Sequence, residues 1–93
     1  MNIALDFDGT YTAPPKVWDK FISFCMEEGH KVSIVTMRYE ENENIQGYLT
    51  AWAKQCDIVY TGCKAKKSFC EAKGLRFNIW IDDNPEWLFQ DAL

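Results

Sequence analysis

Four short apolar runs, each followed by polar residues and then a stretch of helical spacing, leave this chain few ways to fold. The runs are residues 2–7, Lys31–Thr36, Asp57–Tyr60 and Phe77–Ile81. Residues 2–7 are nearly all apolar, which predicts a strand buried on both faces. Lys31–Thr36 is short and rich in β-branched residues, a second strand. Between them, Lys16–Glu28 carries Val17, Phe21, Phe24 and Cys25 near the i, i+3/i+4 spacing of a helix, and Gly29 stops it. Pro14-Pro15 suits the first turn of that helix. Tyr39–Asn44 is polar and acidic and reads as a loop or a frayed helix start. A helix is expected from Asn44 to Gln55, with Ile45, Leu49 and Trp52 on one stripe, although Gly47 weakens it by roughly 1 kcal/mol relative to alanine. Ala65–Lys73 is the third helix, ended by Gly74, and Glu86–Ala92 a short closing one after Pro85. Strands alternating with helices through short connections predict an α/β domain with a parallel sheet and right-handed crossovers.

Length makes residues 1–93 one domain, large enough for a sheet with helices on its faces. A formal net charge of −4 excludes a global basic field for nucleic acid, though Lys64, Lys66 and Lys67 leave room for a local basic site. Cys25, Cys56, Cys63 and Cys70 are even in number but contain no C-x-x-C pair, and the single His30 stands apart from them, so zinc is not expected. The start of the chain lacks the pattern of a secretory signal peptide, and no apolar stretch approaches the ~20 residues that span a membrane. Reduced thiols in a cytoplasmic protein without membrane contact are the expectation.

The chemistry gathers at the strand ends. Strand one delivers Asp6 and Asp8 at positions i and i+2, followed by Gly9 and Thr10. Strand two ends in Thr36, the third helix opens with Lys66 and Lys67, and strand four runs into Asp82-Asp83-Asn84-Pro85. Taken singly, each has a plain structural explanation: a β-former, surface lysines, a helix cap. In a parallel sheet, however, these ends share one edge, where α/β folds bind their ligands. Carboxylates suit Mg²⁺, a second acid can move protons, and a hydroxyl with an ammonium can hold phosphate oxygens. That set suits phosphoryl transfer. The phosphate loops G-x-x-x-x-G-K-[ST] and G-x-G-x-x-G are absent from the sequence.

Asp6-Phe7-Asp8-Gly9-Thr10, then Thr36, Lys66 and Asp82-Asp83 resemble, in order, the four motifs of the haloacid dehalogenase superfamily. The resemblance runs from the first strand to Asn84-Pro85, essentially the whole chain. It implies a three-layer, Rossmann-like α/β fold with strand order 3-2-1-4. It also implies a Mg²⁺-dependent phosphatase. Asp6 would be the nucleophile that forms an aspartyl-phosphate. Asp8 would be the general acid/base, with its backbone carbonyl on the metal. Thr36 would hydrogen-bond the phosphoryl group, and Lys66, with Lys67 as its rival, would stabilise the charge on nucleophile and phosphate. Asp82 would bind Mg²⁺ directly, with Asp6, and Asp83 would support it. Arg38 and Tyr11 are substrate-binding candidates because each follows a strand end on that edge, and Tyr39 shares the placement.

The chain departs from the family in its connections. Gly9–Lys16 and Thr61–Lys64 are too short for a cap domain, and the first is short even for the helical turn and hairpin flap that usually follow the first motif. An open site is therefore expected. Its substrate would be a phosphorylated small molecule or nucleotide, or a phosphorylated macromolecular end, and an uncapped, Trp-rich domain makes a homodimer a reasonable expectation. The second hypothesis is a non-catalytic binding protein that sequesters a phosphorylated or nucleotide ligand. A receiver-like phosphoacceptor domain fits less well, because Thr61-Gly62 stands where its acceptor aspartate belongs.

Overall fold

The computed structural model describes residues 1–92. Its centre is a parallel sheet of four strands: β1 (Asn2–Asp6), β2 (Lys31–Thr36), β3 (Asp57–Tyr60) and β4 (Ile79–Ile81), ordered β3-β2-β1-β4. The register lays Ile58, Ile34, Leu5 and Ile81 side by side in one row across all four strands. The two-residue period then sorts the central strands by face. Ile3, Leu5, Val32 and Ile34 join one apolar cluster, whereas Ala4 and Val35 join another with Cys70. β1 is thus buried on both faces, as its continuous apolar run predicts.

Helix α1 (Pro15–Glu27) covers the first face with Ile22 and Cys25, and Pro15 occupies its first turn. Helix α3 (Lys66–Ala72) covers the second face. Ala4 and Ser33 place small buried side chains on that face. The result is a three-layer, Rossmann-like α/β arrangement. No helix among the described residues is long and apolar enough to cross a membrane, and all four cysteines are free thiols.

The region expected to be one helix from Asn44 to Gln55 is not. A single helical turn, α2 (Glu40–Glu43), precedes it, and two separate 3₁₀ turns, Gln46–Tyr48 and Ala51–Gln55, replace it. Leu49 and Thr50 are extended between them. Gly47 and β-branched Thr50 weaken the helix from within. The breaks let Ile45, Leu49 and Ala53 each drop into the core, while Trp52, expected on the apolar stripe, stays nearly half exposed. The extended Thr50 donates its N–H to the Tyr11 hydroxyl at 3.2 Å, and its own hydroxyl donates to Asp19 at 2.8 Å. Tertiary contacts thereby replace the helical ladder.

The tail likewise forms only one 3₁₀ turn, Pro85–Leu88, instead of a helix over Glu86–Ala92. Asp91 accepts the Ala65 N–H at 2.7 Å and Ala92 donates to the Cys63 carbonyl at 2.8 Å, so the tail is drawn back over the start of α3. One expectation about the connections also needs correcting. A helical turn does follow β1, because it begins within the motif itself: Phe7–Tyr11 forms a wide turn closed by Thr12 N–H on the Phe7 carbonyl at 3.2 Å. Only three residues, Thr12 to Pro14, then remain before α1, so no hairpin flap follows.

Candidate active site

β1 stops at Asp6, whose extended backbone (φ −69°, ψ 152°) sends the carboxylate over the carboxyl edge of the sheet. The wide turn that follows is irregular at Asp8 and at Gly9, which has φ +84°. The turn brings Thr10 back over Asp6, and its hydroxyl lies 3.0 Å from Asp6 Oδ2 and 3.1 Å from Asp83 Oδ1. The same oxygen accepts the Asp83 N–H at 3.1 Å. Thr10 therefore ties the first motif to the last. Sequence reasoning assigned it no role, although it stands within Asp6–Thr10 and could have been found there.

Lys66 opens α3 and is 2 % exposed. Its Nζ donates to Asp6 Oδ1 and Asp82 Oδ2, both at 2.6 Å. Lys67 points away and pairs with Glu71 on the surface at 2.7 Å. The two lysines, indistinguishable in sequence, are thereby separated. Asp82 also accepts the Asn84 N–H at 3.0 Å, which fixes its second oxygen. Thr36 is buried at the end of β2, and its hydroxyl oxygen accepts the Arg38 N–H at 3.3 Å.

These groups line one cleft of about 300 Å³ that includes Asp6, Asp8, Thr36, Lys66, Asp82 and Asp83. Met37, Asn84 and Trp87 complete much of its wall; Asn84 belongs to the last motif but was given no role, and Met37 and Trp87 had no site signal in the sequence. A larger groove of about 460 Å³ runs between α1 and the Ala51–Gln55 turn, but its acids are Asp19 and Glu27 alone, and Asp19 is taken by the Tyr11 and Thr50 hydroxyls. Asp6, Asp82 and Asp83 converge in the cleft at the strand ends.

Oxygens of Asp6, Asp82 and Asp83 lie within 4.8 Å of one another. Lys66 bonds two of these three carboxylates, Asp6 and Asp82, and hard oxygen donors in such a group fit a divalent cation. Asp8 is not part of that group; it lines the cleft and its carboxylate pairs with Arg38. Burial pushes the Asp6 carboxyl up to about 6, with the neighbouring Asp82 charge adding to the rise, while Lys66 pulls against it. Asp8 holds the Arg38 guanidinium more firmly protonated than usual, chiefly through their hydrogen bonds.

The two substrate-binding candidates from sequence fare differently from expectation. Tyr11 is 1 % exposed and its hydroxyl donates to Asp19 at 3.1 Å, so it serves the core and does not face the cleft. The helical turn after β1 rotates it inward, stacked on Phe7 at 6.0 Å between ring centres. Arg38 stands at the cleft's edge, but its guanidinium is committed to Asp8 at 2.9 Å through both Nε and Nη2. Tyr39 is half exposed and lies against Gly62.

Gly9 supplies a test of this geometry. A Cβ there would collide with the Asp83 carboxylate, whereas one at Gly29, with a similar φ of +81°, meets nothing within 4 Å. Gly9→Ala and Gly29→Ala are each expected to cost about 1–2 kcal/mol for placing an L-residue in the left-handed region. Only Gly9→Ala should also weaken binding of a divalent cation, read by calorimetric titration beside urea unfolding. Equal cation affinity in both variants would remove Asp83 from the site.

Compared with protein-family models, with curated proteins and with solved structures, the chain matches none of them.

Proposed function

We propose that the chain is a Mg²⁺-dependent phosphatase of the haloacid dehalogenase type that cleaves a phosphomonoester through an aspartyl-phosphate on Asp6. The observation that carries this reading is the setting of Asp6. Its buried carboxylate has one oxygen on Lys66 and the other on Thr10, and Asp82 and Asp83 stand beside it. An acid held this way is fixed in direction and has an ammonium ready to share with an incoming phosphate.

In the first half-reaction Asp6 attacks phosphorus, the ester P–O bond breaks, and Asp8 gives a proton to the departing oxygen. In the second, water attacks phosphorus, the bond to Asp6 breaks, and Asp8 takes the water's proton. Lys66 and the Thr36 hydroxyl hold phosphoryl oxygens throughout. Asp6, Asp82 and Asp83 would hold Mg²⁺, with the Asp8 carbonyl completing the set; bound there, the ion offsets the repulsion between carboxylate and phosphate. The short connections on either side of the cleft leave its mouth open to a phosphorylated metabolite, a nucleotide or a phosphorylated macromolecular end. Four free thiols suit a reducing, cytoplasmic setting.

The test is release of phosphate from p-nitrophenyl phosphate with magnesium and with chelator. Wild type is expected to turn over only with the metal, and Asp6→Asn to lose at least about 10³-fold, the scale on which a nucleophile and its electrostatic partners act. The missing flap favours a second reading, a protein that holds its phosphorylated ligand without turnover. Stoichiometric retention of an unchanged nucleotide, with no turnover at high protein concentration, would establish that reading and sink the first.

A further inference from the structure

Asp8 and Arg38 leave adjacent parallel strands at the same edge, each two residues beyond a strand's last residue. Their contact is a two-pronged fork: Nε donates to Asp8 Oδ2 and Nη2 to Oδ1, both at 2.9 Å. Both carboxylate oxygens act as acceptors, so this is the contact of the ionised form. The guanidinium is itself held on several sides. Its carbon sits 5.2 Å from the Phe7 ring centre and 6.0 Å from that of Tyr48, and Nη1 reaches the Glu43 carbonyl at 3.5 Å.

A guanidinium has five N–H donors, and three of these are occupied by protein. Asp8 lines the cleft and Arg38 is not among its lining residues, so of the pair it is the carboxylate that borders the proposed phosphate site. A half-exposed ion pair adds little to folding, but a planar fork backed by two aromatic rings restricts the rotation of an aspartate that would otherwise swing in solvent. Fixed direction is what a general base needs, because its oxygen must meet the attacking water within hydrogen-bond reach.

We infer that Arg38 is a positioning residue that aims the Asp8 carboxylate for the second half-reaction and does not itself bind the substrate's phosphate. The inference rests on the phosphatase reading above. In that step the water oxygen bonds to phosphorus and the P–O bond to Asp6 breaks, its electron pair returning to the Asp6 carboxylate. The water's proton passes to an Asp8 oxygen. The fork is the arrangement Asp8 holds as it awaits that proton, once its earlier proton has left with the alcohol.

Rapid-quench kinetics with p-nitrophenyl [³²P]phosphate and Mg²⁺ separates the two halves, because p-nitrophenolate leaves with little need of an acid. Arg38→Ala is expected to keep its burst of p-nitrophenolate and to build up phosphoenzyme. That phosphoenzyme should decay ~10- to 100-fold more slowly in a chase, within the scale of a displaced general base. Because the slowed decay then limits turnover, kcat and KM should fall together while kcat/KM changes little. Arg38→Lys keeps the charge but not the fork and should recover only part of the decay rate. Tyr48→Ala removes one backing ring from an exposed position, so it tests the same idea should Arg38→Ala fold poorly; it should slow the decay in the same direction, by less. A raised KM with unchanged phosphoenzyme level would make Arg38 a substrate ligand and overturn the inference while leaving the phosphatase reading intact. Wild-type decay in both Arg38→Ala and Tyr48→Ala would overturn it as well. Wild type that forms neither p-nitrophenolate nor phosphoenzyme would overturn the phosphatase reading, and this inference with it.

Discussion

Lys66→Met is expected to destabilise the metal-free protein by about 3–5 kcal/mol, the cost of removing one partner from a buried ionic group. The side chain is 2 % exposed and its ammonium contacts Asp6 and Asp82 at 2.6 Å each. Without it, two desolvated carboxylates face each other and Asp83 with no positive charge between them. A domain of this size has only about 5–15 kcal/mol of stability in all, so the urea midpoint should fall steeply. Lys67→Met is the control. Its surface pair with Glu71 is four residues along the same helix and should be worth about 0.5 kcal/mol or less. Magnesium should restore part of the Lys66→Met loss, since a cation bound only by the folded chain stabilises it. If the two variants unfold at the same urea concentration, the buried ammonium does not sit where the structure places it.

The contrast between these neighbouring lysines shows where sequence reading stopped. Strand positions were legible because β-branched runs between helical stretches have little else to become, and the order β3-β2-β1-β4 agrees with the expectation. The choice of Lys66 over Lys67 was not legible. It depends on which residue occupies the first position of α3, and helix starts are uncertain by a residue or two. The break in the region from Asn44 to Gln55 is hidden in the sequence for a different reason. Ile45 and Leu49 do carry helical spacing, but the same spacing arises when separate short turns each insert one side chain. Arg38 and Tyr11 were both drawn from their place after a strand. The turn Phe7–Tyr11 rotates Tyr11 into the core, and the register of β1 against β2 gives Arg38 to Asp8. Neither follows from residue type. The carboxylates needed only to be at the right strand ends, and they are.

Asp6→Asn should raise stability while it removes activity, in the direction opposite to Lys66→Met in the same cluster. Burial carries the Asp6 carboxyl from its ordinary 3.8 to about 6, so the folded chain binds that proton more tightly than the unfolded one. Stability from this group is therefore greatest below pH 3.8 and is lost as pH climbs through 6. At about 1.4 kcal/mol for each tenfold in proton affinity, the ionised acid costs the native state about 3 kcal/mol at pH 7.5. Asparagine has nearly the shape of the protonated acid and can still accept from Lys66, so the variant escapes most of that cost. In chelator at pH 7.5 it should be about 1–3 kcal/mol more stable than wild type, and at pH 4 the difference should shrink to a few tenths. Urea unfolding of both proteins at the two pH values reads this directly, and titrations common to both cancel in the difference. Magnesium at pH 7.5 should then narrow or reverse the gap, because the wild-type carboxylate gains a cation that the amide holds poorly. An Asp6→Asn variant less stable than wild type at pH 7.5 in chelator would mean that Lys66 already compensates Asp6 in full. The excess negative charge that draws a metal in would then rest on Asp82 and Asp83 and not on Asp6.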